Sequence, residues 1–152
     1  MQEFTINGAT GSSKIILDNI PDRLPDLLPD TNVFVITDDE VKSHWGQVFP
    51  KAPVHSMTAG EKSKSLNTAA DICCWLSDRG ADRSSFLLGV GGGVVCDMTG
   101  FVASVYMRGV GFGYVPTSLL AQIDAAIGGK TGVNLDGFKN MIGTFRQPKF
   151  VL

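Results

Sequence analysis

The sequence has 152 residues, 43% of them hydrophobic and 18% charged, which suits a single domain with a sizeable core and no disordered block. A formal net charge of −2 gives no electrostatic attraction for nucleic acid or for an anionic membrane, so we expect neither as a partner. The cysteines lack a C-x-x-C spacing, which excludes a zinc ribbon and a disulfide framework and favours a reducing cytoplasm.

The N-terminal half alternates short apolar runs with amphipathic stretches. Residues 4–6 and 14–17 have the pattern of two strands around a glycine-containing turn, which predicts a short N-terminal hairpin. Residues 33–37 and 54–57 are the next two predicted strands, and a helical pattern follows each of them. The chain shows neither the basic-then-apolar pattern of a leader nor an apolar run of membrane-spanning length, so we predict no signal peptide and no membrane span.

The most informative stretch begins at Phe86, where an apolar run ends in Gly91-Gly92-Gly93 and a second apolar run follows from Met98. This is the pattern of a buried strand, a tight turn and a helix N-terminus. Glycines let the backbone approach a ligand, and unpaired N–H groups at a helix start attract phosphate. The dinucleotide spacing G-x-G-x-x-G fails, because Cys96 stands at the third glycine position counted from Gly91. A phosphate-binding turn and a plain glycine-rich turn both stay open.

The C-terminal half continues the alternation. Residues 111–115 are another predicted strand, and Pro116 suits the first position of a following helix. Beyond residues 128–130 the pattern becomes loop-like, until a further strand begins at 150–152. Strands that alternate with helices predict βαβ units and a mostly parallel sheet. In such a sheet the polar segments that follow strands meet at one edge, and here they are residues 38–40, 61–64, 91–97 and 116–118.

Single polar residues near these turns each have two interpretations. Asp97 could lie beside a bound nucleotide, or it could only stabilise the helix dipole by ~0.3–1 kcal/mol. Thr117 and Ser118 could bind a phosphate or cap a helix, and capping is the commoner role. Arg108 suits bidentate recognition of phosphate, but a charge at a helix C-terminus is equally natural.

Four polar side chains interleaved with glycines indicate a site in the C-terminal part: Asp124, Lys130, Lys139 and Asn140. A P-loop is excluded, because Asp124 stands where that motif needs a glycine. A lysine flanked by glycines can still point into a cleft and pair with a phosphate or a carboxylate. His44 and His55 have no partner at metal-ligand spacing, so we expect surface or packing roles for them and no metal site.

The order and identity of several segments resemble the 3-dehydroquinate synthase family. The resemblance is specific from position 89 onward and looser before position 58. The segments that carry it are residues 91–97 (GGGVVCD), 106–109 (YMRG), 115–124 (VPTSLLAQID), 128–134 (GGKTGVN), 139–143 (KNMIG) and 147–149 (QPK), with Gly60-Glu61 and Lys64 upstream.

The resemblance implies a Rossmann-like α/β fold that binds NAD, joined in the family to a helical domain that holds zinc or cobalt. It implies a step of the shikimate pathway, in which 3-deoxy-arabino-heptulosonate 7-phosphate becomes 3-dehydroquinate and phosphate. The implied chemistry is transient NAD-dependent oxidation, phosphate elimination, re-reduction and aldol cyclisation. A phosphorylated sugar acid is the implied substrate and a homodimer the implied assembly. The alternatives are a related sugar-phosphate cyclase, such as 2-deoxy-scyllo-inosose synthase, and a non-catalytic nucleotide-binding module.

Residue by residue, the resemblance implies two overlapping sets. The implied NAD-binding residues are Asp38, Glu61, Lys64, Gly92, Gly93, Val94, Asp97, Thr117, Ser118, Leu120, Lys130 and Lys139. The implied substrate-binding and catalytic residues are Asp124, Lys130, Lys139 and Asn140, and Arg108 is implied to bind the substrate phosphate from the neighbouring subunit. Asp38 is implied at the adenosine ribose, with Glu61 and Lys64 nearby, and Asp97 at the nicotinamide end.

The resemblance also implies that residues 1–152 are one NAD-binding domain and that the helical domain of the family is absent. The metal ligands of the family, a glutamate and two histidines, have no counterparts in this sequence. We therefore expect that the 152-residue chain alone does not catalyse the reaction.

Overall fold

The computed structural model describes residues 2–152. Within them the strands are β1 (Gln2–Gly8), β2 (Gly11–Leu17), β3 (Val33–Asp38), β4 (Val54–Met57), β5 (Phe86–Gly91), β6 (Gly111–Pro116), β7 (Lys130–Leu135), β8 (Phe138–Phe145) and β9 (Phe150–Val151). The α-helices are α1 (Ile20–Leu27), α2 (Asp39–Trp45), α3 (Leu66–Asp78) and α4 (Gly93–Val105). Short 3-10 turns lie at Gly46–Val48, Glu61–Ser63 and Tyr106–Arg108, and a π-helical segment lies at Ala121–Ala125. None of the helices in the described residues has the length and apolarity that a membrane span needs.

Seven strands form one sheet in the order β1-β2-β9-β6-β5-β3-β4. β1 runs antiparallel to β2, and every other neighbouring pair in this sheet is parallel. The predicted N-terminal hairpin and the mostly parallel sheet are both confirmed. β9 has only two residues, but it lies between β2 and β6 and joins the hairpin to the parallel strands.

Helices cover both faces of the sheet, and the central strands are therefore apolar on both sides. On one face, Leu87 of β5 and Phe112 of β6 belong to a core cluster with residues of α3 and α4. On the other face, Leu88 and Val115 cluster with Leu24 of α1. Successive strand residues point to opposite faces, so β5 supplies both clusters. This arrangement confirms a Rossmann-like α/β fold.

Residues 130–145 are not the loop that the sequence predicts. β7 and β8 form a separate antiparallel sheet, with Asp136 and Gly137 in the turn at φ of 47° and 84°. Positive φ at both central residues is the type I′ geometry that Asp-Gly favours. The prediction was wrong because these residues are polar and rich in glycine, and most of β8 is exposed. Apolar alternation, the usual signal of a strand, is therefore weak here.

Pro116 is the last residue of β6, where it pairs with Gly91, and it does not open a helix as the sequence predicts. A proline has no N–H to give to a ladder, so it is tolerated where a strand ends. The helical turn begins after it, and Ser118 Oγ accepts a hydrogen bond from the Ala121 N–H at 3.3 Å. The π-helical segment follows, and such segments are frequent at functional sites.

Candidate functional site

The glycine turn lies at the carboxyl end of β5, between the ends of β3 and β6. Thr37 Oγ1 donates a hydrogen bond to the Val90 carbonyl at 2.8 Å, and the Thr117 N–H donates to the Gly91 carbonyl at 3.0 Å. These bonds fix the turn to both neighbouring strands. The segments that follow β3, β5 and β6 therefore lie side by side at one edge of the sheet, as the sequence predicts.

Gly89 and Gly91 are required by packing. At Gly89 an added Cβ would lie 2.7 Å from Thr99 Oγ1, and at Gly91 it would lie 2.6 Å from Val95 Cβ. Real Cβ atoms do not approach other atoms so closely, and the atoms they would meet belong to α4. These two glycines therefore let α4 sit directly on β5.

Gly92 and Gly93 are different. An added Cβ would find its nearest neighbour at 3.6 Å in both cases, Ser118 Oγ for Gly92 and Ala125 Cβ for Gly93. That is an ordinary van der Waals distance, and the φ of Gly92, −74°, is open to any residue. Within the described residues, neither packing nor backbone conformation requires glycine at these two positions. Close approach of a ligand to the backbone remains as the physical reason for them.

The N-terminus of α4 starts at this turn and offers free donors. Gly92 is the N-cap, and no side chain within residues 2–152 caps the helix. The first turn, which includes Val94, has N–H groups without intrahelical acceptors, and the N-terminus of a helix carries roughly +0.5 elementary charge. α4 is 13 residues long, so its dipole is well developed. The turn is thus suited to bind a phosphate or pyrophosphate.

Asp97 lies one turn into α4 and forms an ion pair with Lys64. Lys64 Nζ contacts Asp97 Oδ2, and it also donates a hydrogen bond to Asn140 Oδ1 at 2.5 Å. Lys64 is only 5% exposed, and an ammonium group at such a depth needs compensating partners. Three residues that are distant in sequence are thereby brought together.

Several groups act on the protonation of Asp97. Burial raises the pKa of its carboxyl above the ordinary value, whereas the hydrogen bond and the charge of Lys64 lower it. The nearby carboxylates of Glu61 and Asp124 raise the pKa further, and the outcome is a raised pKa. A carboxyl group in this setting, at the edge of a cavity, is a candidate for holding or releasing a proton.

Asn134 in β7 is a member of this cluster that the sequence analysis missed. Its Nδ2 donates to Glu61 Oε1 at 2.9 Å, and its Oδ1 accepts from the Asn140 N–H at 2.9 Å. Its own N–H donates to the Lys64 carbonyl at 2.9 Å. The sequence analysis predicted a loop where β7 lies and therefore did not single out Asn134. The one available signal was that Asn134 belongs to the segment 128–134, which carries part of the family resemblance.

A cavity of about 440 Å³ opens beside this cluster, lined by residues of α4, the π-helical segment and the β7–β8 hairpin. Its charged and amide lining consists of Asp97, Asp124, Lys130 and Asn140. A ligand here would meet both an ammonium group and carboxylates, which suits a polyhydroxylated anion. Lys139, next to Asn140, is exposed and does not belong to the lining.

The candidates at the ends of β3 and β6 lie around the glycine turn. Asp38 accepts a hydrogen bond from the Val41 N–H at 2.8 Å and so caps α2. Thr117, Ser118 and Leu120 are exposed after β6, and Leu120 has 69% of its surface free. Asp38 and Ser118 therefore both cap helical segments, and capping does not prevent either residue from also contacting a ligand.

Arg108 lies at the opposite end of α4 from the glycine turn. The 13 residues of α4 span about 20 Å at 1.5 Å per residue, so Arg108 is remote from the glycine turn, and it is not among the residues that line the cavity. Met107, Arg108 and Gly109 all have positive φ, at 48°, 68° and 121°. This unusual run of backbone leaves Arg108 exposed, where it can contact another molecule.

The histidines and cysteines are not among the residues that line the cavity. His55 packs edge-on against Trp75 with ring centroids 5.2 Å apart, and burial lowers its pKa, so the predicted packing role is confirmed. Cys96 is fully buried, which raises the pKa of its thiol. Among residues 2–152, no three His, Cys, Asp or Glu side chains are grouped so as to hold a metal ion. The described residues do not fit a zinc or cobalt ion.

Sequence comparison points to one family. The family described as 3-dehydroquinate synthase N-terminal matches residues 54–152. The 3-dehydroquinate synthase of Pyrococcus abyssi is 51% identical over 129 residues, which cover 79% of this chain and 37% of that protein. The 3-dehydroquinate synthase of Alkaliphilus oremlandii is 42% identical over 142 residues, which cover 90% of this chain and 39% of that protein. The chain thus spans well under half the length of these curated relatives.

Solved structures share the fold. The structure of 2-deoxy-scyllo-inosose synthase with carbaglucose-6-phosphate, NAD+ and Co2+ is 26% identical, has a TM-score of 0.85, and covers 99% of this chain and 45% of its own. The structure of 2-epi-5-epi-valiolone synthase from Streptomyces hygroscopicus with NAD+ and Zn2+ is 28% identical, has a TM-score of 0.82, and covers 92% of this chain and 42% of its own. The family match covers well over half of the chain. The chain therefore belongs to the 3-dehydroquinate synthase family, whose N-terminal part it matches.

Proposed function

We propose that this chain is the NAD-binding part of a 3-dehydroquinate synthase. The observation that carries the proposal is the open backbone at Gly92 and Gly93, where nothing within the described chain requires glycine. An open backbone at an uncapped helix N-terminus suits a pyrophosphate, the central group of NAD. The two cyclases with the same fold were solved with NAD+.

The other cofactor contacts follow from the position of the turn. Gly92, Gly93 and Val94 would bind the pyrophosphate through backbone N–H groups. Ser118 faces Gly92 across the gap, so the exposed segment 117–120 would line the cofactor. Asp38 would bind the adenosine ribose at the end of β3, and Asp97 would lie at the nicotinamide end. When bound, NAD would supply reversible hydride transfer.

The cavity beside Asp97 would bind the substrate, 3-deoxy-arabino-heptulosonate 7-phosphate, which becomes 3-dehydroquinate and phosphate. Lys130 would pair with an anionic group of this substrate, and Asp124 and Asn140 would bind its hydroxyl groups. Lys139, exposed next to Asn140, would approach once substrate and NAD are in place. Asp97, with its raised pKa and its ion pair to Lys64, would hold a proton near the reacting hydroxyl.

We infer that the 152-residue chain alone does not turn over this substrate. The described residues offer no ligand set for the metal ion that accompanies NAD+ in the two cyclases. Arg108, which is exposed and does not line the cavity of its own chain, would bind the substrate phosphate of a partner subunit in a homodimer. The three free cysteines suit a cytoplasmic location.

A related sugar-phosphate cyclase is the second candidate, since 2-deoxy-scyllo-inosose synthase has the same fold and an NAD+ site. Identity favours the first candidate, with 42% and 51% to the two synthases against 26% and 28% to the two cyclases. Titrating the NAD-saturated chain with the heptulosonate phosphate and with glucose 6-phosphate separates the two. Preference for glucose 6-phosphate would favour the second candidate. Binding of NAD with no affinity for either sugar would indicate a nucleotide-binding module.

The test of the NAD site is a calorimetric titration of the chain with NAD. In Gly92→Ala the added methyl group occupies the space that the pyrophosphate needs, and we expect affinity to fall about tenfold or more. Gly46→Ala is the matched control, because its added Cβ would also make only an ordinary contact, at 3.7 Å from Lys42 Cγ. Equal affinities of the two variants, or a folded wild-type chain that does not bind NAD, would overturn the proposal.

A further inference from the structure

Asn134 joins two parts of the site that are far apart in sequence. One is the turn Glu61–Ser63, with the buried Lys64 after it, and the other is Asn140 in β8. We infer that Asn134 is a positioning residue. It couples the turn Glu61–Ser63 and the Lys64–Asp97 ion pair, which lies at the proposed nicotinamide end of the NAD site, to the substrate side of the cavity. The inference rests on the proposed function for what the two parts bind, but the coupling stands on contacts within the chain.

A break in strand pairing gives Asn134 this position. The register of β7 and β8 shifts between Val133 and Leu135, so Asn134 is left out of the ladder. Its backbone pairs instead with the segment after Glu61–Ser63, through a bridge to Ser65 and the bond to the Lys64 carbonyl. Irregularities of this kind re-aim a side chain and are common next to active sites.

The backbone of Asn140 depends on this side chain. Asn140 has a φ of 56°, a left-handed conformation that is uncommon for residues other than glycine and that asparagine adopts more readily than most. Asn134 Oδ1 accepts the N–H of Asn140 and so holds that conformation. In that conformation, Asn140 Oδ1 accepts a hydrogen bond from Lys64 Nζ, the group that also pairs with Asp97. The position of the Lys64 ammonium therefore depends on Asn134 through Asn140.

The chemistry of the contacts requires an amide at position 134. Toward Glu61 the side chain must donate, because a carboxylate only accepts, and toward the N–H of Asn140 it must accept. An aspartate would keep the second bond and replace the first by repulsion between two carboxylates. An alanine would lose both. Asn134→Asp thus removes only the bond to Glu61, whereas Asn134→Ala removes the bonds to both Glu61 and Asn140.

The experiment exchanges donor and acceptor between positions 134 and 61 and measures the affinity of the chain for NAD. We expect Asn134→Asp to weaken binding about tenfold, because Glu61 loses its donor and faces a like charge. In the double variant Asn134→Asp with Glu61→Gln, the new amide donates to the new carboxylate. We expect it to bind NAD at least about fivefold more tightly than Asn134→Asp alone. Asn7→Asp, at an exposed position of β1, adds the same charge elsewhere and should change affinity less than about twofold.

A second measurement, independent of NAD, keeps the coupling testable if the proposed function fails. In Asn134→Ala, NMR should show faster hydrogen exchange at the Asn140 amide and a pKa of Asp97 shifted upward, since Lys64 loses its second anchor. In Asn134→Asp the Asn140 amide keeps its acceptor and should stay protected. An unchanged Asn140 amide and Asp97 titration in a folded Asn134→Ala chain would overturn the inference. So would a double variant that binds NAD no better than Asn134→Asp.

Discussion

The cavity at the strand ends has two walls, and different forces hold them in place. α4 is part of the core, with Met98 and Val102 fully buried, and its Thr99 and Val95 side chains pack directly against the backbone of β5 at Gly89 and Gly91. In the β7–β8 hairpin, Val133 of β7 is buried in the core, but most of β8 is exposed and polar bonds help to hold it. Thr144 Oγ1 bonds to Thr131 Oγ1 at 2.8 Å and to Ser104 Oγ of α4 at 3.0 Å.

Because the two walls are held differently, substitutions in α4 should change the stability of the chain, whereas substitutions in β8 should change the binding of ligands. Apolar burial and close packing fix the α4 wall, so a change there acts on the free energy of unfolding. Polar contacts matter more for the exposed strand β8 of the hairpin wall, so a change there moves cavity groups at a small cost in stability. We expect substitutions of the same type to have different effects in the two walls.

The same truncation in both walls gives the largest expected contrast. Met98→Ala in α4 removes a fully buried side chain and should lower the free energy of unfolding by ~2–5 kcal/mol. Met141→Ala in β8 removes a side chain that is 62% exposed and should change it by less than ~0.5 kcal/mol. Urea unfolding of the two variants measures both. An equal decrease in the free energy of unfolding in both variants would mean that the side chains of β8 contribute to the core as those of α4 do.

Substitutions at Gly91 and Gly93 distinguish a glycine that packing requires from one that the approach of a ligand requires. Gly91→Ala forces a methyl group against Val95 and should cost ~1–3 kcal/mol of stability. Gly93→Ala makes only an ordinary contact with Ala125, so stability should stay within ~0.5 kcal/mol while NAD affinity falls. Unfolding curves and NAD titrations of the pair decide this. A large loss of stability in Gly93→Ala would show that packing, and not a ligand, requires that glycine.

A single substitution can remove the side-chain hydrogen bonds of Thr144, one of which joins the hairpin to α4. Thr144→Val removes the hydroxyl that bonds to Thr131 and Ser104, and we expect a loss of about 1 kcal/mol. Thr5→Val, at an exposed position of β1, is the control and should be neutral. Hydrogen exchange along β7 and β8 should accelerate in Thr144→Val and not in Thr5→Val. No acceleration would indicate that other contacts hold this wall.

The titration of Asp97 tests the ion pair at the junction of the walls. Because the pKa of Asp97 is raised on folding, its contribution to stability is present below the ordinary value of 3.8 and is lost as pH rises through the folded pKa. Lys64→Met removes the group that lowers this pKa, so an NMR titration should find it higher still. Lys62→Met, an exposed neighbour, should leave it unchanged. A pKa of Asp97 at or below 3.8 in the wild-type chain would contradict this account.

The parallel sheet and the glycine turn could be predicted from the sequence because burial leaves a strong pattern. A strand that is covered on both faces, such as β3 or β5, must be apolar along most of its length, and its burial in the structure follows this rule. The turn that follows β5 must be small where α4 packs closely, and Gly91 meets this requirement. These signals are local, so a single sequence carries them.

The hairpin wall and the cluster around Lys64 could not be predicted from local pattern. A strand that lines a polar cavity has little reason to be apolar, and the Asp136-Gly137 turn was its best remaining signal. Lys64 and Asp97 are 33 residues apart, and their pairing depends on how α4 and the 3-10 turn are placed in the fold. Asn134 has a role only because the strand pairing breaks at that residue.

The place of β9 in the sheet has a consequence for the order in which the chain is assembled during synthesis. The N-terminal hairpin precedes the parallel strands in the sequence, but in the sheet it reaches them through Phe150–Val151. Ser13 Oγ also donates a hydrogen bond to the carbonyl of Pro148, 135 residues further on. Until residues 150–151 leave the ribosome, the facing edges of β2 and β6 have no strand between them, and unpaired strand edges invite association between chains. The hairpin precedes the parallel strands in the sequence, but it is the last part of this sheet to dock.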